Sequence, residues 1–150
     1  MIKQAIIIDN PIFRGTGGVS IFDRFSYSAA VRAGDFIYVA GQVGLNPDGT
    51  IPQDDAVQFH NAFERLKIVL EEAGASMQDI VELVSYHVDL QKEGHLDAFV
   101  EVKNAYIVEP YPTWTILGVQ GLARPGLNIE IKAIAYVAPA VTCSEQSHTD

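Results

Sequence analysis

The sequence predicts an α+β domain of two layers, a mixed β-sheet with two helices packed on one face. Three observations carry that expectation. Short runs rich in Ile, Val, Tyr and Thr recur from Lys3 to Val137, as strands require. Two longer stretches space their apolar residues by three and four, the period of a helix with one buried face. Each of these stretches joins strand-like runs that can lie parallel, which lets both helices fall on the same side of the sheet.

Along the chain, Lys3 to Ile8 makes a first strand, closed by the turn residues Asp9, Asn10 and Pro11. Gly15, Thr16, Gly17 and Gly18 read as a flexible loop, since the Lys-Ser/Thr pair and strand-to-helix context of a phosphate loop are missing. Tyr27 to Val31 and Phe36 to Ala40 form an antiparallel hairpin around Ala33-Gly34-Asp35. Gly41, after the second strand, admits a bulge or a close backbone approach to a ligand. A turn at Asn46-Pro47-Asp48-Gly49 leads to a helix capped by Asp54 or Asp55. Its apolar face is Ala56, Phe59, Phe63, Leu66, Leu70 and Ala73, and Gly74 stops it. Ile80 to Leu90 is a long strand. Gly94 precedes a second helix with a Leu96, Phe99, Val100, Tyr106 and Ile107 stripe, ended by Pro110. Two strands follow between Pro112 and Ile131, separated by Gly-Leu-Ala-Arg-Pro-Gly.

At 150 residues the chain is expected to be one domain, residues 1–139, with a frayed polar tail over 140–150. A net charge of −9 argues against a phosphate-tracking surface, so nucleic acid is an unfavoured partner. The one cysteine, Cys143, excludes an internal disulfide. No run approaches a membrane span and none resembles a secretory signal, which points to the cytoplasm. Hydrophobic residues make up 48% of the chain, and several strands are apolar on both faces. The face without helices is therefore expected to be buried against other subunits.

The candidate for chemistry is Glu130. It lies between Ile129 and Ile131, where a period of two sends it to the face opposite its apolar neighbours. A strand carboxylate merely pointing to water has the same pattern. His60 has Glu64 one helical turn away, but such a pair on an exposed helix face is ordinary surface, and no Cys or His spacing makes a metal site of His87 and His95; surface or structural roles are expected for them. No metal and no cofactor is expected.

Taken together, Val39-Ala40-Gly41-Gln42, the helix end Leu70 to Ala75, Asp89-Leu90 and the closing Pro112…Leu122…Ile129-Glu130-Ile131 resemble the YjgF/RidA family of enamine/imine deaminases, over roughly Tyr27 to Val137. The resemblance implies a chorismate mutase-like fold, and homotrimers whose sheets line a central barrel, with small-molecule ligands bound in clefts between subunits. It implies hydrolysis of reactive 2-enamines and 2-imines to 2-ketoacids and ammonia. Glu130 matches the carboxylate that activates water, Tyr27 a tyrosine of the cleft, and Gly41 a backbone position near the ligand. The chain departs from the family where Pro112-Thr113-Trp114-Thr115 replaces Pro-Ala-Arg-Ser, so that Trp114 stands in place of the arginine that grips the substrate carboxylate. A guanidinium makes two parallel bonds that an indole cannot. Trp114 and Thr115 are therefore expected to line a less cationic pocket suited to an aromatic or apolar ligand, with Arg124 a candidate to reach back from the turn. A non-catalytic binding or stress-response protein is the alternative function, and an endoribonuclease or translation inhibitor the least favoured.

Overall fold

The computed structural model describes residues 2–15 and 17–138. The 140–150 tail and Cys143 lie outside them. The strands are β1 Gln4–Ile6, β2 Ala30–Ala33, β3 Phe36–Val43, β4 Ile80–His87, β5 Thr113–Gly118 and β6 Ile129–Tyr136. The helices are α1 Ile21–Phe25, α2 Asp55–Glu72 and α3 His95–Tyr106.

Helix α2 starts where the sequence says it should. The Asp54 carboxylate accepts the Ala56 and Val57 N–H groups at 2.8 and 3.3 Å, satisfying two of the donors that a helix start leaves unpaired. Its other end closes at Gly74, whose φ of 85° turns the chain so that Ala75 N–H donates to the Leu70 carbonyl at 2.8 Å. Phe59, Ala62, Phe63, Leu66, Val69 and Leu70 are buried. Ala56, expected in that stripe, is exposed.

The sheet runs β1-β2-β3-β6-β4-β5. Strand β6 lies antiparallel between β3 and β4, and β5 pairs parallel with β4 through the α3 crossover. This is the mixed sheet expected. Along β6, Ile129, Ile131, Ala133 and Ala135 are buried in alternation with the more accessible Glu130, Lys132, Ile134 and Tyr136. The buried set meets Phe59, Phe63 and Leu66 of α2 and Phe99 of α3 in one core. Helices α2 and α3 are also clasped at their outer edge, where the Tyr106 hydroxyl donates to Glu64 at 2.8 Å and lies 2.6 Å from His60 Nδ1. That contact gives His60 and Glu64 a shared partner.

Several features differ from expectation. Helix α1 was not legible, being one short turn started by Ser20 and ended by Ser26 at a φ of 58°. It occupies chain to which no element was assigned, and the hairpin strand begins at Ala30, after Tyr27. Strand β4 stops at His87, because the chain then turns with Lys92 N–H donating to Asp89 O at 2.9 Å. In α3 the inward residues are His95, Phe99 and Lys103, while Leu96 is exposed.

Candidate functional site

Glu130 points to the helix-free face, as its strand alternation predicts. In register it stands opposite Val43 on one side and Tyr86 on the other, and Tyr86 is level with Leu117 of β5. The β3–β6 ladder slips beside it. Val39 faces Ala133 and Gln42 faces Ile131, so Ala40 and Gly41 together oppose Lys132, a β-bulge. The bulge brings the Gly41 backbone against the Glu130 side chain. A Cβ at position 41 would lie 2.8 Å from the carboxyl carbon and from Oε2, so glycine there makes room for the carboxylate. Gly41→Ala is accordingly expected to displace Glu130, a flexible side-chain end. It should lower activity at least about tenfold while moving stability by less than about 1 kcal/mol, checked by steady-state kinetics beside a urea melt.

Glu130 is half-buried, and burial raises its carboxyl above the usual carboxylate range. The Tyr27 phenol is also raised, first by burial and then by the charge of Glu130, with Arg65 opposing. Tyr27 and Glu130 therefore feel one another. Tyr27 also lines a cleft of ≈ 440 Å³ with Ile6, Ile8, Asp9, Phe22 and Ala29. A second hollow, ≈ 400 Å³ at Val88 to Lys92 and Gly118-Val119, holds none of the expected site residues.

Trp114 is placed otherwise than expected. It pairs with Leu83, one of the buried helix-side residues, and its indole N–H donates to Ser85 Oγ at 2.9 Å. Its ring lies 5.8 Å from that of Phe99 on α3. Ser85 is in register with Ile131, not Glu130, so Trp114 and Glu130 occupy opposite faces of the sheet. Within the chain, Trp114 packs under α3. The Arg124 guanidinium donates to the Gly49 carbonyl at 3.2 Å. Neither ion pair among the described residues, Arg14–Asp9 or Lys92–Asp55, joins Arg124 to Glu130. Thr115 is exposed on the open face, paired with Val84 two residues along the strand from the row that holds Glu130.

Comparison with known proteins decides the family. The family described as endoribonuclease L-PSP matches residues 20–137. The chain belongs to it. Among relatives, the chain is 40% identical over 122 residues to the RutC family protein YjgH of Escherichia coli K12, covering 81% of this chain and 90% of that one. It is 31% identical over 112 residues to the 2-iminobutanoate/2-iminopropanoate deaminase of the same strain, covering 73% and 85%. The solved structure of protein YJGH superposes with a TM-score of 0.76 at 36% identity, over 92% of this chain and 98% of that one.

In this L-PSP family chain, Glu130, Gly41 and Thr115 share the open face, and the charge of Glu130 acts on Tyr27. Trp114 and Arg124 stand apart. Sequence reasoning passed over Tyr86 and Leu117, which share the Glu130 row. It also passed over a buried polar chain on the other face. Ser85 Oγ, already holding the Trp114 N–H, lies 2.8 Å from His87 Nε2, and His87 Nδ1 lies 2.8 Å from His95 Nε2. The two histidines do meet, hydrogen-bonded to each other. A neutral imidazole has one donor and one acceptor, so the chain runs in one sense or its reverse, and in both His95 Nδ1 is left buried without a partner. Among the described residues no cluster of three metal-ligating side chains occurs, and no described helix is long and apolar enough to cross a membrane.

This chain makes stability depend on pH. Burial, then the neighbouring His95, lowers His87 to about 4. Burial also lowers His95, with Asp55 and Asp89 opposing and Lys92 adding. Above the ordinary histidine range His87 is neutral folded and unfolded. As pH falls from roughly 6.5 towards 4 the unfolded chain takes a proton that the folded one refuses, and stability declines. Urea denaturation at pH 5 is expected to give about 2 kcal/mol less stability than at pH 7 from this group. An His87 imidazole titrating by NMR near the ordinary value would refute the assignment.

Proposed function

We propose that the protein hydrolyses imines or enamines of small metabolites, in the manner of the deaminase-named relatives, with Glu130 as the general base. The observation that carries this is a half-buried carboxylate of raised pKa on an open sheet face, given room by Gly41 and coupled to Tyr27. As a carboxylate it takes a proton from water while the oxygen adds to the C=N carbon. As a carboxylic acid it returns that proton to the nitrogen, giving a carbinolamine; the same carboxylate then takes the carbinolamine hydroxyl proton and passes it to that nitrogen, so that the C–N bond breaks and a ketone and ammonia leave. A pKa lifted towards the working pH serves both halves. Tyr27 offers a phenol that stays protonated, a hydrogen-bond donor to the substrate.

The helix-free face carries Phe36, Tyr38, Leu117 and Tyr136, each 41–48% exposed, a large apolar surface for a solitary chain. Its burial in a homotrimer, with Glu130 in a cleft between subunits, is part of the proposal. Sedimentation velocity is expected to give three chains. The test of activity is an amino-acid oxidase reaction in which semicarbazide traps the imine. Adding the protein should slow semicarbazone formation for at least one amino acid. Unchanged trapping for every amino acid would favour a trimeric binding protein without catalysis, a reading supported by the lack of a guanidinium beside Glu130 in the chain. RNA cleavage fits poorly with a charge of −9.

A further inference from the structure

Arg65 is a buried cation among neutral partners. It lies on the core side of α2, 5% exposed, and neither ion pair among the described residues includes it. Its guanidinium is turned to backbone instead. Nη1 donates to the Ile12 carbonyl at 3.1 Å, Nε to the Leu45 carbonyl at 3.1 Å and Nη2 to the Asn46 carbonyl at 3.0 Å. Withdrawing a charge from water is costly when only carbonyl dipoles meet it. An apolar side chain, as at the neighbouring Leu66 and Val69, would avoid that cost.

The three carbonyls belong to the two segments that bring Gly41 and Tyr27 to Glu130. Leu45 and Asn46 lie just beyond β3, the strand that carries Gly41. Ile12 opens the stretch that leads through α1 to Tyr27. Along that stretch the guanidinium carbon lies 5.4 Å from the centre of the Phe13 ring, Phe13 lies 5.2 Å from Phe22, and Phe22 meets Tyr27 edge to face at 5.1 Å. Phe13 and Phe22 are buried, and the Tyr27 N–H donates to the Phe22 carbonyl at 3.1 Å. A row of packed rings thus runs from the cation to the phenol, and close packing passes a displacement at one end to the other. The charge reaches the same group, since Arg65 acts on the Tyr27 phenol against burial and Glu130.

We propose that Arg65 is a positioning residue for the Glu130 site, its planar fork tying the Tyr27 segment and the end of β3 to helix α2 while its charge stands behind the Tyr27 phenol. Arg65 itself touches no substrate. It acts through Tyr27, whose O–H is aimed by the ring row and made a stronger hydrogen-bond donor by the positive charge behind it. A lysine could not do the same, because one ammonium cannot span three carbonyls in a plane and lie flat on a ring. The inference rests on the proposed part of Tyr27 as a donor to the substrate.

Imine hydrolysis by Arg65→Met, Tyr27→Phe and the double variant forms a cycle that tests this. Arg65→Met is expected to lower kcat/KM by about tenfold in the parent and by less than about twofold in the Tyr27→Phe background, where the phenol it acts through is gone. Equal losses in the two backgrounds would overturn the proposal, because a stitch that only holds loops together matters as much with the phenol as without it. A second readout needs no turnover. With isotopically labelled tyrosine, and the Tyr27 signal assigned by its loss in Tyr27→Phe, NMR titration of Arg65→Met is expected to show the phenol ionising at higher pH than in the parent. If the parent hydrolyses no imine and this shift is still seen, the proposed reaction fails and the link from Arg65 to Tyr27 stands. An unmoved Tyr27 titration refutes the link even in an active enzyme. Should Arg65→Met fail to fold, Phe13→Leu breaks the ring row while leaving the guanidinium its three carbonyls. The same cycle with Tyr27→Phe then decides, a loss confined to the parent background supporting the proposal and equal losses in both refuting it.

Discussion

Glu130→Gln is expected to lower the rate constant for imine hydrolysis by about 10²–10⁴-fold, the usual contribution of a positioned general base, with almost no change in thermal stability. Glutamine occupies the same space above Gly41, so the bulge and the strand register need not move. It cannot accept the proton of water. Stability should be nearly indifferent because the carboxylate is half-buried and its pKa is raised by burial, so the folded state gains nothing from its charge. The parent's activity should rise with pH as Glu130 ionises, with the acid limb displaced above the ordinary carboxylate range, and the variant should lack that limb. A second readout does not depend on turnover. The Glu130 charge contributes to raising the Tyr27 phenol, so Glu130→Gln should shift the Tyr27 titration downward in ultraviolet difference spectra. Full activity in the variant would place the base elsewhere, whereas lost activity with an unmoved Tyr27 titration would separate the catalytic claim from the coupling claim.

What could be read in advance was what is local. The alternation Ile129-Glu130-Ile131 assigns the carboxylate to the face away from the core without any knowledge of neighbours, and Asp54 and Gly74 bracket α2 by capping chemistry alone. The glycine at 41 announced a close approach, though not that the approaching group would be Glu130. Trp114 shows where local pattern gives out. In Thr113-Trp114-Thr115-Ile116-Leu117 both faces carry apolar side chains, so parity cannot say which one the helices cover. That follows from the parallel register of β5 on β4, which pairs Trp114 with Leu83 across thirty-odd residues of chain. The row Val43–Glu130–Tyr86–Leu117 depends on the same long-range ladders. His87 and His95 meet because a strand end and a helix start are folded back by the turn between them, and since no single strand or helix holds both, neither period foretells the contact. Helix α1 is too short to express any period at all.

Gly44→Ala is expected to be the most destabilising single methyl group that can be added near this site. A Cβ at position 44 would stand 2.2 Å from the Gln58 carbonyl oxygen and 2.7 Å from its carbonyl carbon and Cα. The obstacle is helix backbone, which cannot rotate away as the Glu130 side chain can for Gly41→Ala. Gln58 is itself pinned. Its buried amide donates to Pro52 O at 2.9 Å and Gly126 O at 2.8 Å, and its carbonyl accepts the Asn128 N–H at 2.9 Å. Relief therefore requires α2 to move off β3, opening the core at Phe59 and Phe63. Overpacking of this kind costs roughly 3 kcal/mol or more, which for a domain of this size lowers the melting temperature by about 10 °C. Gly121→Ala, whose Cβ meets nothing within 4 Å, is the matched control and should melt with the parent. Because Gly44 follows directly on the strand that carries the bulge, the displaced helix should also loosen Gly41 under Glu130. Catalysis should then fall even at temperatures where the variant is folded, and a Gly44→Ala protein as stable as its control would mean that α2 rides on the sheet more freely than its hydrogen bonds allow.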